Sequence, residues 1–208
     1  MKKELPYYTI NKSYGGNQDW FHDPFMKLGG CAAATACDYC IYMAMHEGKK
    51  HLYPFAVRQI DKESYMQFAL RMKPYLRPRF EGIKTLPIFM DGFMKYLQDI
   101  GEQSTTVHGL SGHESVKEAI AAVRKQIDDR IPIPFLLLKH KNPSVSFFTW
   151  HWFLVVGYEE WEEEFYIKVA TYGKYHWLSL HELWDTGFKE KGGMIIITTK
   201  KPDDMHFV

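Results

Sequence analysis

The residues of this 208-residue chain whose types and spacing could do chemistry begin with Gly29-Gly30-Cys31-Ala32-Ala33-Ala34-Thr35-Ala36-Cys37. Two glycines give a side-chain-free approach to a cysteine at what should be the first turn of a helix. The small residues that follow let such a helix sit deep in a core. A thiol at that place faces unpaired backbone N–H groups and the positive end of the helix dipole, and both favour the nucleophilic thiolate. A small cysteine packed at a tight helix start accounts for the stretch equally well. Upstream, Gln18 carries a side-chain amide that could donate to an oxyanion, or could simply be a surface glutamine.

Other thiols and imidazoles in suggestive positions have plainer readings. Cys37-Asp38-Tyr39-Cys40 is a C-x-x-C in mid-helix with no second cysteine pair, so zinc binding and dithiol redox chemistry are both poorly served and core packing is expected. His46-Glu47 is followed by His51, one residue late for the H-E-x-x-H face. His176 and His181 lie across a strand–helix junction without a third ligand and read as surface or groove residues. No metal site and no cofactor are expected.

The elements that must position these residues can be read from periodicity. After an arm over 1–14 and a turn-rich stretch at Asn17–Pro24, a helix runs from about Cys31 to Met45 or His46, with Gly48 as a left-handed stop. Further helices are predicted near 61–72, from 85 to a stop at Gly101, and near 114–129, with Asp61 as a cap. The basic run Arg71, Lys73, Arg77, Arg79 and Lys84 reads as a solvated loop. Strand periods then take over: a short strand at 103–108, a buried one at 133–138, a long one from Phe147 to Tyr158 containing His151, and its return from Phe165 to Tyr172. Tyr175–Leu178 pairs back, Ser179 and Glu182 make a capping box for a short helix, and Met194–Thr199 is the last strand. Helices first and an antiparallel sheet second make an α+β fold, expected as a single domain over 1–208.

Composition narrows the partners. A formal net charge of +1 gives no bulk attraction to nucleic acid or anionic membranes, and no apolar run is long enough to span a bilayer. Three cysteines are an odd count, so a complete disulfide framework is excluded, and reduced thiols in the cytoplasm are expected. Met1–Tyr7 has basic residues but no apolar stretch after them, unlike a secretory signal.

Gln18, the Gly-Gly-Cys31 helix, the strand His151-Trp152-Phe153-Leu154-Val155-Val156-Gly157-Tyr158 and then Val169-Ala170-Thr171-Tyr172-Gly173 follow an order that resembles the papain-like cysteine peptidases. The similarity is greatest to the compact bacterial branch of double-glycine leader peptidases, which process bacteriocins, and it covers roughly residues 15 to 200. It implies a papain-like fold and a cysteine-dependent hydrolase of a peptide or amide bond. Cys31 would be the nucleophile and His151 the base, with Gln18 and the Cys31 N–H as oxyanion donors. A peptide or small amide would be the substrate. The same site could serve an acyl transferase, or a peptide-binding module that has lost turnover. The chain departs from the family at Ala170, where the family's Asn or Asp orients the histidine, and thirteen positions separate Gln18 from Cys31, more than the family pattern suggests.

Hairpin register points to Thr171 as the substitute for that acceptor. With Glu160-Trp161-Glu162 as the loop, His151 opposes Thr171, Phe153 opposes Val169 and Val155 opposes Ile167, apolar against apolar. A loop one residue longer sets His151 against Ala170 and Phe153 against Lys168, and burial favours the first pairing.

Overall fold

The structure is a computed structural model and describes residues 1–79 and 82–199. The chain starts with three short strands, β1 (Lys2–Glu4), β2 (Thr9–Ile10) and β3 (Ser13–Tyr14). Helices α1 (Pro24–Gly29), α2 (Cys31–His46), α3 (Lys62–Met72) and α4 (Leu86–Asp99) follow. After β4 (Thr105–Ser111) and α5 (Val116–Asp128) come β5 (Ile133–Leu137), β6 (His151–Trp161), β7 (Glu164–Thr171) and β8 (Lys174–Ser179). A short α6 (Leu180–Trp184) and β9 (Gly193–Thr199) complete the α+β architecture.

All pairings in the main sheet are antiparallel, in the order β4-β9-β5-β6-β7-β8. β1 adds to the outer half of β6, with Lys2 opposite Glu159. Neighbours on β6 face opposite ways. Trp152 stacks on Phe89 of α4 at 4.3 Å, whereas Phe153 stacks on Phe135, which meets Trp184 of α6 edge-on. Helices therefore cover both faces of the sheet. α2 lies against β6 and β5 with α3 behind it.

α2 is buried along nearly its whole length, as its small and apolar residues require. Each large apolar side chain on it, such as Ile41 or Met43, contributes about 1.5–3 kcal/mol by leaving water. Cys37 and Cys40 are fully buried in this packing. Gly48 stands just past the helix with φ +73°. Asp61 and Ser64 form a reciprocal cap on α3, and Ser115 and Glu118 do the same on α5. At the end of α4, Glu102 is buried and accepts from the Ser104 N–H (2.7 Å), the Ser104 hydroxyl (2.6 Å) and Lys49 (3.2 Å), with His51 Nε2 at 2.6 Å.

Several boundaries differ from the sequence reading. The stretch before His151 is not strand. Pro143–Phe148 is a 3-10 turn, because Pro143 lacks an N–H for pairing and Asn142 caps the turn through Ser144. The Glu159–Glu164 stretch is mostly strand. β6 and β7 continue to Trp161 and Glu164, joined by a two-residue turn whose first residue, Glu162, has φ +57°. Glu182 completes only half of the expected capping box. Ser179 accepts from its N–H at 3.3 Å, but the Glu182 carboxylate is taken by the Asn142 amide. Pro24–Gly29 form a helix that was not expected after the turn-rich stretch, since Asp23 caps it and Pro24 opens it.

The β6–β7 register also differs from both expected pairings. Val155 opposes Val169 and Leu154 opposes Ala170, whereas Gly157 opposes Lys168 and Tyr158 opposes Ile167. The slip between Val155 and Gly157 is a β-bulge, which inserts one residue and reverses side-chain parity along the rest of β6. His151 and Thr171 are thus not directly opposed, yet they share a face.

Candidate active site

Cys31 is placed by the junction of α1 and α2. Gly30 ends α1, donating to the Met26 carbonyl (2.8 Å), and begins α2, accepting from the Ala34 N–H (2.9 Å). A Cβ on Gly30 would overlap that Met26 carbonyl, so the corner is tight enough only for glycine. Cys31 follows at the first position of α2, 7% exposed. Burial pushes its thiol up, and the backbone N–H groups of Trp152, Ala32 and Cys31 itself pull it partly back. The helix start alone was expected to favour thiolate, and burial outweighs it here.

His151 opens β6 and is buried. Its Nε2 lies 2.7 Å from Thr171 Oγ1. The Tyr172 ring stacks on the imidazole at 4.8 Å and 10°. Tyr172 and Gly173 form the two-residue β7–β8 turn with φ of +48° and +71°, the left-handed pair of a type I′ hairpin. Trp150, directly before His151, also has a left-handed φ of +55° and is pinned by its N–H to the Leu138 carbonyl (2.7 Å). Non-glycine residues held in that region flank both halves of the His151–Thr171 pair, a strain that collects at functional sites. Burial pulls the His151 imidazole down to about 4.

Gln18 starts a 3-10 turn, Gln18–Trp20, capped by Asn17. Its side chain is buried. Nε2 donates to the Lys27 carbonyl (2.8 Å), which commits one of its two N–H bonds, and Oε1 has no partner. α1 fills the gap between Gln18 and Cys31 and is tied back by Met26, which is fully buried, and by an ion pair from Lys73 to Asp23.

Cys31, His151, Gln18 and Tyr172 line one cleft of about 390 Å³. Among the described residues no hydrogen bond joins Cys31 to His151, although both line the cleft. With Nε2 facing Thr171, Nδ1 is the imidazole nitrogen left for the thiol. Leu28, Phe147 and Trp150 wall the cleft at 84%, 56% and 47% exposure, so its apolar sides are open to a ligand. Arg79 is the cation on its lining. Thr171 lies behind His151 in a smaller adjoining chamber that Cys31, Gln18 and Asp38 also line.

Two residues of this assembly escaped the sequence reading. Asp38 was taken only as part of the C-x-x-C. A lone carboxylate seven positions after Cys31, on the same helix face, was its signal. Tyr172 was read as the last residue of a strand, whereas it opens the turn, and nothing local shows that its ring returns over His151. His176 packs edge-on to Phe148 at 5.2 Å, away from any ligand set. Among the described residues no group of His, Cys, Asp or Glu could hold a metal ion, and no helix is long and apolar enough to cross a membrane. Compared with known proteins, the chain matches no family model, no curated protein and no solved structure.

Proposed function

We propose that this protein is a cysteine-dependent hydrolase of a peptide or amide bond, with a papain-like arrangement of Cys31 and His151. One observation carries the reading. A cysteine at the start of a buried helix and a histidine 120 positions later line the same cleft, and the far nitrogen of that histidine is held by Thr171. Cys31 attacks the carbonyl carbon, and its proton passes to His151 Nδ1. The tetrahedral oxyanion takes the Cys31 N–H and the free N–H of Gln18. His151 then gives its proton to the leaving amine, and water resolves the thioester by the reverse sequence.

A second reading, a peptide-binding module without turnover, is favoured by the resting electrostatics. Burial moves the thiol up and the imidazole down, so the pair rests as neutral thiol and neutral imidazole. Iodoacetamide at pH 7, with the labelled peptide located by mass spectrometry, tests the nucleophile. The hydrolase reading expects Cys31 alone to be labelled in the folded protein, and His151→Ala to slow it. Amide hydrolysis across a peptide mixture, lost in Cys31→Ala, separates the enzyme from the module. Labelling of Cys37 or Cys40 as fast as Cys31 would sink the hydrolase reading.

A further inference from the structure

Asp38 is a carboxylate inside an otherwise apolar stretch of α2, two turns after Cys31 and on its face. It accepts from the hydroxyls of Tyr7 (3.0 Å) and Tyr8 (2.9 Å) and from the Gly16 N–H (3.2 Å). Tyr65 from α3 and Cys37 from α2 are the other titratable groups against it. Gly16 passes the link onward. Its carbonyl accepts from the Gly173 N–H (3.0 Å), and the Gly173 carbonyl accepts from the Tyr14 N–H (2.8 Å). Gly173 is the second residue of the turn that lays Tyr172 on His151. A Cβ on Gly16 would overlap the Tyr65 ring, and Gly173 has φ +71°, a left-handed conformation that favours glycine.

The chamber beside this link has a volume of about 20 Å³ and is lined by Cys31, Gln18, Thr35, Asp38, His151 and Thr171, among others. That is room for one water, and the lining is polar enough to bind it. Thr171 Oγ1 meets His151 on one side and, as a hydroxyl, has its own proton to give on another. Asp38 takes direct hydrogen bonds from Tyr7, Tyr8 and Gly16, whereas the Tyr65 hydroxyl donates to the Ala34 carbonyl (3.3 Å), so one of about four lone-pair sites remains.

We propose that Asp38 is a positioning residue of the Cys31–His151 pair: a carboxylate on the nucleophile helix that orients the imidazole through Thr171, across the chamber, and through the Gly16–Gly173 link. This rests on the cysteine–histidine reading above. His151 Nε2–H donates to Thr171, and the Thr171 hydroxyl donates by way of one water to Asp38. Nδ1 is thereby fixed as the acceptor for the Cys31 proton. The charge on α2 then does what an acceptor at Ala170 cannot, and it favours the imidazolium that forms when the thiol ionises. Burial raises Asp38, against the pull of the neighbouring Tyr8, Tyr65 and Tyr7 hydroxyls and the Gly16 N–H, to about 6. The carboxylate is therefore charged at neutral pH and is lost just below it.

The test is the rate of Cys31 alkylation by iodoacetamide from pH 5 to 9, in the full-length protein and its variants. Asp38→Asn should move the profile up by about one pH unit and slow labelling at pH 7 roughly tenfold. Thr171→Val should do the same, and Asp38→Asn with Thr171→Val no more than either alone. Tyr8→Phe keeps the charge, removes one donor and raises the pH at which reactivity falls, so it decides the matter if Asp38→Asn does not fold. An Asp38→Asn or Tyr8→Phe profile that overlays the wild type, while His151→Ala displaces it, overturns the role of Asp38 and leaves the pair intact. A His151→Ala profile that also overlays the wild type overturns the pair, and this proposal with it.

Discussion

His151 Nε2 and Thr171 Oγ1 lie 2.7 Å apart on neighbouring strands, and they share a face because β6 carries a bulge between Val155 and Gly157. Without that extra residue the register near the turn, Gly157 opposite Lys168, would run on and bring Ala170 to the imidazole's face. The bulge is thus part of the site's construction, although it lies several residues from it.

The Tyr172 ring shields the imidazole, and burial is the cause of the lowered His151 value. Tyr172→Ala should therefore let water reach the ring and raise its titration from about 4 toward the ordinary histidine value of 6.5. NMR titration of the His151 ring resonances reads this directly. A midpoint that stays at or below 4 would show that burial by Tyr172 is not what matters.

Helices with their own stop and start signals were legible in the sequence, because Asp61, Thr85 and Gly48 act on the backbone next to them. Cys31 and His151 were legible as types in context. The bulge was not read: Gly157 inside the strand is its local sign, but a strand glycine marks a close backbone approach equally well, and nothing in Val155 or Val156 decides between them. Pairing near Thr171 was therefore misread by register and still correct by face. Asp38 was hidden for a different reason. Its partners Tyr7, Tyr8 and Gly16 come from an arm without periodicity, and only the fold closes them around it.

Gln18 holds the Lys27 carbonyl with one amide hydrogen and has the other free. Gln18→Ala should lower turnover by roughly 10²-fold if that second hydrogen meets the oxyanion, with a much smaller effect on KM. Thermal unfolding measured beside the kinetics accounts for the lost Lys27 bond. Turnover within twofold of wild type removes Gln18 from the chemistry.

Gly30→Ala forces a Cβ into the Met26 carbonyl, a backbone atom that cannot rotate away. A loss of about 1–3 kcal/mol in urea unfolding is expected, together with slower Cys31 labelling, because the corner that aims the thiol must open. Gly29→Ala is the control. Its Cβ would meet the Arg79 carbonyl at 3.5 Å, an ordinary contact, so stability and labelling should change little.

Glu102 governs acid stability. Burial would raise its carboxyl, but hydrogen bonds from Ser104 and His51 and the charge of Lys49 hold it down to about 2, against 4.5 ordinarily. A depressed carboxylate stabilises the fold above its unfolded value. That contribution drains away as pH falls from 4.5 toward 2, about 2 kcal/mol after allowing for solvent at the half-exposed His51. Glu102→Gln should be less stable at pH 7 and show a flatter stability curve over that window in urea titrations. A curve parallel to wild type would exclude Glu102 as the source.

The pairing of Lys2 with Glu159 has a consequence for the order of events as the chain is made. Gln18 and Cys31 emerge early, whereas His151, Thr171 and the turn that carries Tyr172 come more than a hundred residues later. Bringing His151 to the cleft of Cys31 closes a loop of 120 residues, and such closures come late and slowly because their entropy must be met before they gain anything. The Cys31 thiol is thus made well before the His151 imidazole that shares its cleft. Reactivity should switch on only in the final step, when β6 to β8 dock against α2 and the N-terminal arm closes over them.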